Sequence, residues 1–227
     1  MSKPPRCANH TPLLVMGSKN YSSWSLRPWV FLRKVGFDFR EHVIHFDAPD
    51  YRAQIAAISP SRRVPLLVDG VKIHDSLAIC EYAAEVTGSG VPRQREARAL
   101  SRCAAAEMHS GFLALRNECP MNCRAVDKRV APTVELLADI ARIDDLWSQS
   151  RRAYGSGGGW LFGEFSIADA MFAPVVFRFR TYGAHLSDVS ESYVRHALAD
   201  PLMGEWLRAS EQEGHPLAEA DAVGIPR

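Results

Sequence analysis

The sequence predicts an α/β domain with a small mixed sheet, followed by an all-helical domain. Up to about residue 86, short β-type runs alternate with segments of helical periodicity. The Gly- and Pro-rich stretch Thr87-Gly88-Ser89-Gly90-Val91-Pro92 then interrupts the pattern, and beyond it only helical periodicity remains. We therefore expect domains at 1–86 and 94–227, joined by a linker at 87–93.

The first half predicts the element order β-α-β, an irregular stretch, then β-β-α. Apolar or β-rich runs predict strands at 12–16, 39–46, 64–68 and 71–74. The last two runs flank Asp69-Gly70, a two-residue turn typical of tight hairpins. One helix carries Leu26, Trp29 and Val30 at helical spacing and ends before Gly36, and another starts at Asp75 or Ser76.

The second half predicts four long helices, at about 93–115, 126–154, 166–182 and 190–209. A glycine-rich loop at 155–159 separates the second from the third. The third helix opens with Ser166-Ile167-Ala168-Asp169, the capping-box pattern in which Ser166 and Asp169 satisfy each other's backbone N–H groups. We interpret Asp169 as structural rather than catalytic.

Composition and charge exclude several function classes. The chain is 47% hydrophobic and 23% charged, with 27 basic and 26 acidic residues, which is globular and nearly neutral. Nucleic acid and anionic membrane surfaces are therefore not expected partners. No apolar run approaches the ~20 residues of a membrane-spanning helix. Five cysteines, an odd number, and no secretory segment at the N-terminus predict a reduced, cytoplasmic protein.

Four short motifs in order resemble the cytosolic glutathione transferase superfamily over residues 13–207. They are Ser22-Ser23-Trp24-Ser25-Leu26-Arg27, Ser59-Pro60-Ser61-Arg62-Arg63-Val64-Pro65, Asp75-Ser76-Leu77-Ala78-Ile79 and Ser166-Ile167-Ala168-Asp169. The resemblance implies a thioredoxin-like N-terminal domain that binds glutathione and an all-helical domain that binds the second substrate. Within the superfamily, the sequence is similar to the serine-type, zeta-like and theta-like classes. It differs at Trp24, where zeta-like enzymes commonly carry Cys.

The resemblance makes Ser22, or its neighbour Ser23, the candidate catalytic residue. A thiol with a pKa near 8.5 is only a few per cent ionised at pH 7. A hydroxyl that donates to sulfur at a helix N-terminus favours the thiolate. The alternative is that one of the two serines only caps the helix. No cysteine lies in this window, so cysteine-based thiol chemistry is not expected.

The other two motifs of the first half imply the binding residues for glutathione. Asp75 and Ser76 resemble the acidic-plus-serine pair that holds the γ-glutamyl end, with plain helix capping as the alternative. Val64 supplies backbone hydrogen bonds, Arg63 faces the glycyl carboxylate or is a solvated surface side chain, and Pro65 is predicted to follow a cis bond.

The resemblance implies that the middle of the first C-terminal helix lines a pocket for the electrophile. Met108, Phe112 and Arg116 recur at i, i+4 and i+8 on the predicted helix, although an apolar stripe at that spacing is also typical of core. We interpret His109 as a core or interface residue. Cys119 and Cys123 lack a matching ligand pair, so we expect free thiols and no metal site.

The function predicted from these residues is transfer of glutathione to a small hydrophobic electrophile. A non-catalytic module of the same fold, and a glutathione-dependent isomerase or dehalogenase, are the alternatives. A homodimer is expected from the family and, weakly, from charge: residues 1–88 hold 11 basic and 8 acidic residues (+3), whereas the rest hold 16 and 18 (−2).

Overall fold

The first half of the chain forms a four-stranded mixed sheet with three helices. In the computed structural model, which describes residues 11–226, the strands are β1 (Leu13–Gly17), β2 (Arg40–Ile44), β3 (Leu66–Asp69) and β4 (Val71–His74). The helices are α1 (Ser23–Lys34), α2 (Tyr51–Ile58) and α3 (Ser76–Thr87). Strand order is β2-β1-β3-β4, with β1 parallel to β2 and antiparallel to β3. The predicted fold class is confirmed.

Helix α2 lies in the stretch between β2 and β3, where the sequence predicts no regular element. Only Ile55 of this helix is buried, so its apolar residues do not make the stripe that marks a packed helix. The remaining N-terminal elements agree with the predictions to within a few residues. The Val64–Pro65 bond is cis, which confirms that prediction.

The second half is helical, with one small exception. Its helices are α4 (Arg95–Ser110), α5 (Leu113–Glu118), α6 (Val134–Tyr154), α7 (Ile167–Tyr182), α8 (Asp188–Leu198), α9 (Pro201–Gln212) and α10 (Ala218–Asp221). Contrary to the prediction of helix only, β5 (Lys128–Arg129) pairs antiparallel with β6 (Ile225–Pro226). No helix of the described residues is long and apolar enough to cross a membrane.

The predicted helix at 93–115 is wrong, because the chain breaks after α4. Gly111 is extended and Phe112 adopts a left-handed conformation (φ 61°) before α5 begins. A Cβ on Gly111 would lie 2.9 Å from the carbonyl oxygen of Glu107, so this position favours glycine. The side chain of Arg116 donates to the carbonyls of Met108 and Gly111, which the break leaves without helical partners.

Two further boundaries differ from the predictions for one reason, which is proline. The predicted helix at 190–209 is two helices, because Pro201 has no N–H and forces Asp200 into an extended conformation. Asp200 instead caps α9 by accepting the N–H of Leu202 at 3.0 Å. Similarly, α6 begins at Val134 rather than Val126, after Pro132 and with Thr133 as its cap.

Helix α7 runs through the centre of the molecule and is buried along nearly its whole length. It packs against α1 of the first half and α4 of the second. The predicted capping box is confirmed: Asp169 Oδ2 accepts the N–H of Ser166 at 2.9 Å, and Oδ1 accepts that of Leu161 at 2.9 Å. Because Asp169 is buried, its desolvation outweighs these hydrogen bonds and raises its pKa to about 6.

Replacing Asp169 by Ala should destabilise the fold without altering the chemistry. The variant loses a helix cap, worth about 0.5–2 kcal/mol, and leaves two buried N–H groups without an acceptor. We expect a lower melting temperature and unchanged turnover per folded molecule, measured by calorimetry and an activity assay. Glu135→Ala, an exposed acid in the first turn of α6, is the control. An unchanged melting temperature with collapsed turnover would place Asp169 in the reaction.

Ionisation of Asp169 should also make stability fall as the pH rises. Its folded pKa of about 6 exceeds the ordinary 3.8, so between these pH values the folded state binds more protons than the unfolded state. The free energy of unfolding should therefore decrease from about pH 4 to about pH 6, by roughly 2–3 kcal/mol. Urea titrations across this range test it. Asp169→Asn, which does not ionise, should lack this component, and an identical pH profile in both proteins would refute the assignment.

Candidate functional site

The three N-terminal motifs lie at one edge of the sheet. In the β1 and β3 register Val15 faces Leu66, which brings Val64 and Pro65 beside the end of β1, from which the chain continues to Ser22. In the β3 and β4 register Leu66 faces His74, which places Asp75 at the same edge. The sheet topology thus assembles residues that are more than 50 positions apart in sequence.

Both candidate serines lie in the turn between β1 and α1. Ser22 and Ser23 are buried, with exposed fractions of 5% and 7%. Ser22 occupies the N-cap position of α1, but its side chain makes no capping bond. Its hydroxyl instead donates to Ser25 Oγ at 2.7 Å, and the same Ser25 oxygen accepts the N–H of Gly17 at 3.1 Å. The capping alternative for Ser22 is therefore not what the structure shows.

The loop before β3 is held by its own hydrogen bonds. Ser59 Oγ donates to the carbonyl of Arg63 at 2.7 Å, and Arg62 adopts a left-handed conformation (φ 54°). Pro65 is buried, whereas the side chain of Arg63 is exposed. The backbone of Val64 therefore lies at the sheet edge between a fixed loop and a buried proline.

Asp75 caps α3 and also faces the second half of the chain. Its Oδ1 accepts the N–H groups of Leu77 at 2.8 Å and Ala78 at 3.3 Å, so the capping alternative holds for this residue. Its Oδ2 lies 3.2 Å from His109 Nε2 of α4, an ion pair when the imidazole is protonated. Ser76 is fully buried, and its hydroxyl has no hydrogen-bond partner among the described residues.

An aromatic and cationic group lies immediately beyond these serines. The indole of Trp24 is 36% exposed, and two guanidinium carbons lie over its ring: Arg27 at 4.3 Å and Arg116 at 5.0 Å from the centroid. His109 contacts the same ring edge-on, with centroids 5.4 Å apart. The end of α4 and the start of α5 therefore meet the first turn of α1 at Trp24.

The three predicted pocket residues do not share a continuous helical face. Met108 belongs to α4, Phe112 lies in the break, and Arg116 belongs to α5, so the predicted i, i+4, i+8 stripe is wrong. Met108 and Phe112 are buried, and Phe112 packs near Phe172 of α7 with ring centroids 6.5 Å apart. The guanidinium group of Arg116 contacts Trp24.

Two sequence profiles match most of the chain. One, described as the glutathione S-transferase N-terminal domain, matches residues 21–86, and the other, described as the C-terminal domain, matches residues 128–209. The chain belongs to the glutathione S-transferase superfamily. The predicted family is confirmed, while the serine-type class remains a prediction.

Solved structures of other glutathione transferases have the same fold. A glutathione transferase homologue from Burkholderia gl BGR1, solved with bound glutathione, is 23% identical, with 90% of this chain and 100% of that chain covered and a TM-score of 0.65. An epsilon-class enzyme from the housefly Musca domestica is 15% identical, with 95% and 100% covered and a TM-score of 0.69. A Pseudomonas putida glutathione transferase with one glutathione disulfide per subunit is 17% identical, with 90% and 94% covered and a TM-score of 0.62. A search of curated protein sequences found no match.

The cysteines of the described residues form no disulfide bond. Cys80, Cys103, Cys119 and Cys123 are free thiols there, as predicted for Cys119 and Cys123. Burial raises the pKa of Cys119 to about 11 and that of Cys123 to about 12, so neither is a thiolate at neutral pH. Residues 11–226 contain no group of three or more His, Cys, Asp or Glu that could hold a metal ion.

Two cavities of this glutathione S-transferase chain lie away from the candidate site. One, of about 320 Å³, is an open depression against β1 and β3 that includes Leu13, His42 and Lys72. The other, of about 130 Å³, lies among the C-terminal helices and includes Cys119 and Arg178. Neither of these two cavities is lined by Ser22 or Asp75.

The C-terminal segment, residues 213–223, contacts the loop that precedes Ser22 and Ser23. The sequence does not predict these contacts. The hydroxyl of Tyr21 donates to Asp221 at 2.8 Å and accepts from Arg124 at 2.7 Å and from the N–H of Leu217 at 2.9 Å. Glu213 accepts the N–H of Lys19 at 2.6 Å. No local sequence pattern predicts these contacts, because the partners are 103 to 200 residues apart in sequence.

Removing the hydroxyl of Tyr21 should loosen this segment. In Tyr21→Phe, Asp221 and the N–H of Leu217 lose a partner, which costs about 1–3 kcal/mol locally. We expect amide hydrogen exchange at 215–223 to accelerate about tenfold or more, measured by mass spectrometry. Tyr51→Phe is the matched control, since among residues 11–226 that hydroxyl accepts from its chain neighbour Arg52. Equal exchange in both variants would show that Tyr21 does not hold the segment.

Proposed function

We propose that this protein is a serine-type glutathione transferase that activates the thiol of glutathione with Ser22. The observation that supports it best is the meeting of three groups at one sheet edge. These are the serine turn at the N-terminus of α1, the Val64 backbone beside a cis proline, and the Asp75–Ser76 start of α3. The bound glutathione in the Burkholderia relative agrees with this proposal at the level of the family.

Ser22 would act by stabilising the thiolate. A hydroxyl that donates to sulfur favours the charged form, and the N-terminus of α1 adds a positive partial charge. In this structure the Ser22 proton is directed at Ser25 Oγ, which also accepts the N–H of Gly17. If the Ser22 hydroxyl rotates toward the sulfur, Ser25 Oγ loses that hydrogen bond but still accepts the N–H of Gly17. Donation to sulfur therefore leaves the buried Ser25 oxygen with a partner. Ser23 is the second candidate.

The start of α3 suits the γ-glutamyl end of glutathione. A carboxylate there would meet the N-terminus of α3 and the unpartnered hydroxyl of Ser76. The ammonium group would meet Asp75, whose Oδ2 also lies 3.2 Å from the imidazole Nε2 of His109. The Val64 backbone would pair with the cysteinyl residue, and the exposed side chain of Arg63 would approach the glycyl carboxylate.

The reaction needs the two halves of the chain together. The thiolate forms a bond to carbon while the leaving group departs with its electron pair, or while the second carbon of an activated double bond takes up a proton. The thiol proton passes to solvent. Arg116 would face the second substrate beside Trp24, with Met108 and Phe112 as the apolar packing beneath it. The proposed second substrate is a small electrophile with an apolar body.

One observation favours the non-catalytic alternative. The hydroxyl of Ser22 already has an acceptor in Ser25, so the structure is also compatible with a module that binds glutathione without ionising it. Isomerase or dehalogenase activity would use the same thiolate and differ only in the second substrate. Measurement of the thiol pKa in the complex separates the module from the enzymes.

Quaternary structure and location belong to the same proposal. We propose a two-fold homodimer in which the first half of one subunit packs on the helical half of the other. Sedimentation at micromolar protein should give about twice the 25.2 kDa mass of one chain. The free thiols of the described residues suit a reducing compartment, so we propose a cytoplasmic protein.

Ser22→Ala should raise the pKa of bound glutathione and slow turnover, with little change in affinity for the peptide. Loss of one hydrogen bond to a charged sulfur costs about 1.5–3 kcal/mol, or about one to two pKa units. We expect a 10- to 100-fold fall in kcat at neutral pH. The thiolate is followed by ultraviolet difference spectroscopy, and affinity by calorimetry.

Ser23→Ala and Ser25→Ala are the matched controls for this test. Ser25→Ala removes the present partner of Ser22 and leaves the Ser22 hydroxyl free to donate to sulfur. Full activity in Ser22→Ala with loss in Ser23→Ala would move the role to Ser23. If wild-type protein binds glutathione without lowering its thiol pKa, the protein is a binding module.

A further inference from the structure

Arg27 is a buried cation without a hydrogen-bond partner. Its side chain lies in α1, one turn after Trp24, and none of it is exposed to solvent. All three guanidinium nitrogens lack a hydrogen-bond partner among the described residues. Burying a charge without such partners is costly, and a contact with an aromatic face does not offset the cost. Burial, with Arg116 and Arg178 nearby, holds the pKa of Arg27 well below its usual range.

The same helix supplies a comparison. Arg33 also lies over a tryptophan, Trp29, with its guanidinium carbon 5.2 Å from the ring centroid. Arg33 is partly exposed and forms two hydrogen bonds with Glu205, at 2.7 and 2.9 Å. Arg27 has the aromatic contact but no carboxylate partner. The comparison with Arg33 indicates that a carboxylate is the group missing beside Arg27.

The surroundings of Arg27 are rich in positive charge and adjoin the proposed thiol site. Arg116 approaches Trp24 as well, and its Nε and one terminal nitrogen donate to backbone carbonyls, while Nη1 has no hydrogen bond to a described residue. Asp75, whose charge acts on Arg27, is engaged with His109 and with the cap of α3. Asp139, whose charge acts on Arg116, accepts the N–H of Leu115. Neither arginine forms an ion pair with a carboxylate of the described residues, so an anion at Trp24 would meet two guanidinium groups that have no direct acidic partner there.

We propose that the second substrate carries a carboxylate, which binds at Trp24 between Arg116 and Arg27. This inference rests on the proposed function and names the substrate class of that site. Trp24 is partly exposed, whereas Arg27 behind it is enclosed, so the indole moves aside when the carboxylate reaches Arg27. Arg116 makes the first contact at the rim, and the electrophilic carbon lies toward Ser22, two residues before Trp24.

The test compares one electrophile with and without its charge. 4-Chloro-3-nitrobenzoate and its methyl ester share the leaving group and the ring, and differ in the carboxylate. Wild-type protein should show a kcat/KM for the acid about tenfold or more above that for the ester, although the ester is the more reactive compound. Arg27→Met and Arg116→Gln should each lower the acid-to-ester ratio about 10- to 100-fold. Arg33→Met, the matched control, should keep the wild-type ratio.

Two further measurements separate a binding role from a structural one. Removing an unpaired buried cation should leave the melting temperature of Arg27→Met unchanged or higher, whereas a residue that only holds Trp24 would lower it. Calorimetric titration with 3-nitrobenzoate, which has no leaving group at the reactive position, should show binding to the glutathione complex that Arg116→Gln weakens about tenfold.

The possible failures are distinguishable. If glutathione does not bind or its thiol pKa does not fall, the proposed function fails and this inference fails with it. If the ester reacts but the acid has no advantage, the proposed function stands and the carboxylate site is wrong. A raised thiol pKa in Arg27→Met with an unchanged acid-to-ester ratio would assign Arg27 to the thiolate and overturn the proposal. Were Arg27→Met not to fold, an unchanged ratio in Arg116→Gln would overturn it.

Discussion

The burial of α7 is the constraint on which the rest of the structure depends. This helix is enclosed by α1 on one side and α4 on another, so it joins the two halves of the chain through one apolar core. Its N-terminus lies inside the protein, where unpaired N–H groups are costly. The Ser166 side chain accepts the N–H of Asp169, the Asp169 carboxylate accepts the N–H of Ser166, and the carbonyl of Gly90 accepts that of Ile167. Burial of the Asp169 carboxylate in turn opposes its ionisation. The position of α1, and with it the serine turn, follows from this packing.

The candidate site lies where that packing brings unlike elements together. Hairpin register brings Val64 and Asp75 to the end of β1, and the α4 to α5 break delivers His109 and Arg116 to Trp24. The break matters because a continuous helix would pair its own carbonyls and leave Arg116 no backbone partners there. A local exception to helical geometry, set by Gly111, thus positions a cation beside the first turn of α1.

The sequence was sufficient for features that depend on local chemistry. Strands bounded by turn residues, the proline before β3 and the Ser166 to Asp169 box each follow from short-range rules, and each is found in the structure. The sequence does not predict helix α2, because one buried residue makes no apolar stripe. It does not predict the break before Pro201, because the apolar spacing continues beyond that proline. The serine roles remain predictions, since identical residue types serve as caps or as donors to a ligand.

Local sequence rules do not predict the environment that residues distant in sequence create around a side chain. Arg27 and Arg33 look alike in the sequence, each following a tryptophan by one turn, yet one is enclosed and unpaired and the other is partnered on the surface. The difference arises because α3 and α7 pack against one part of α1, while Glu205 of α9 reaches the other.

Asp75 shows how such an environment fixes a functional geometry. It is a non-glycine residue at φ 84°, a conformation that costs on the order of 1–3 kcal/mol. The cost is borne because the β3 and β4 register leads directly into α3 and because Oδ1 accepts two N–H groups of the first turn. Because these two hydrogen bonds hold Oδ1, the other oxygen, Oδ2, points toward α4, where it lies 3.2 Å from His109 Nε2. A strained cap therefore aims a carboxylate across the junction between the two halves, which is where a bound peptide ammonium would need it.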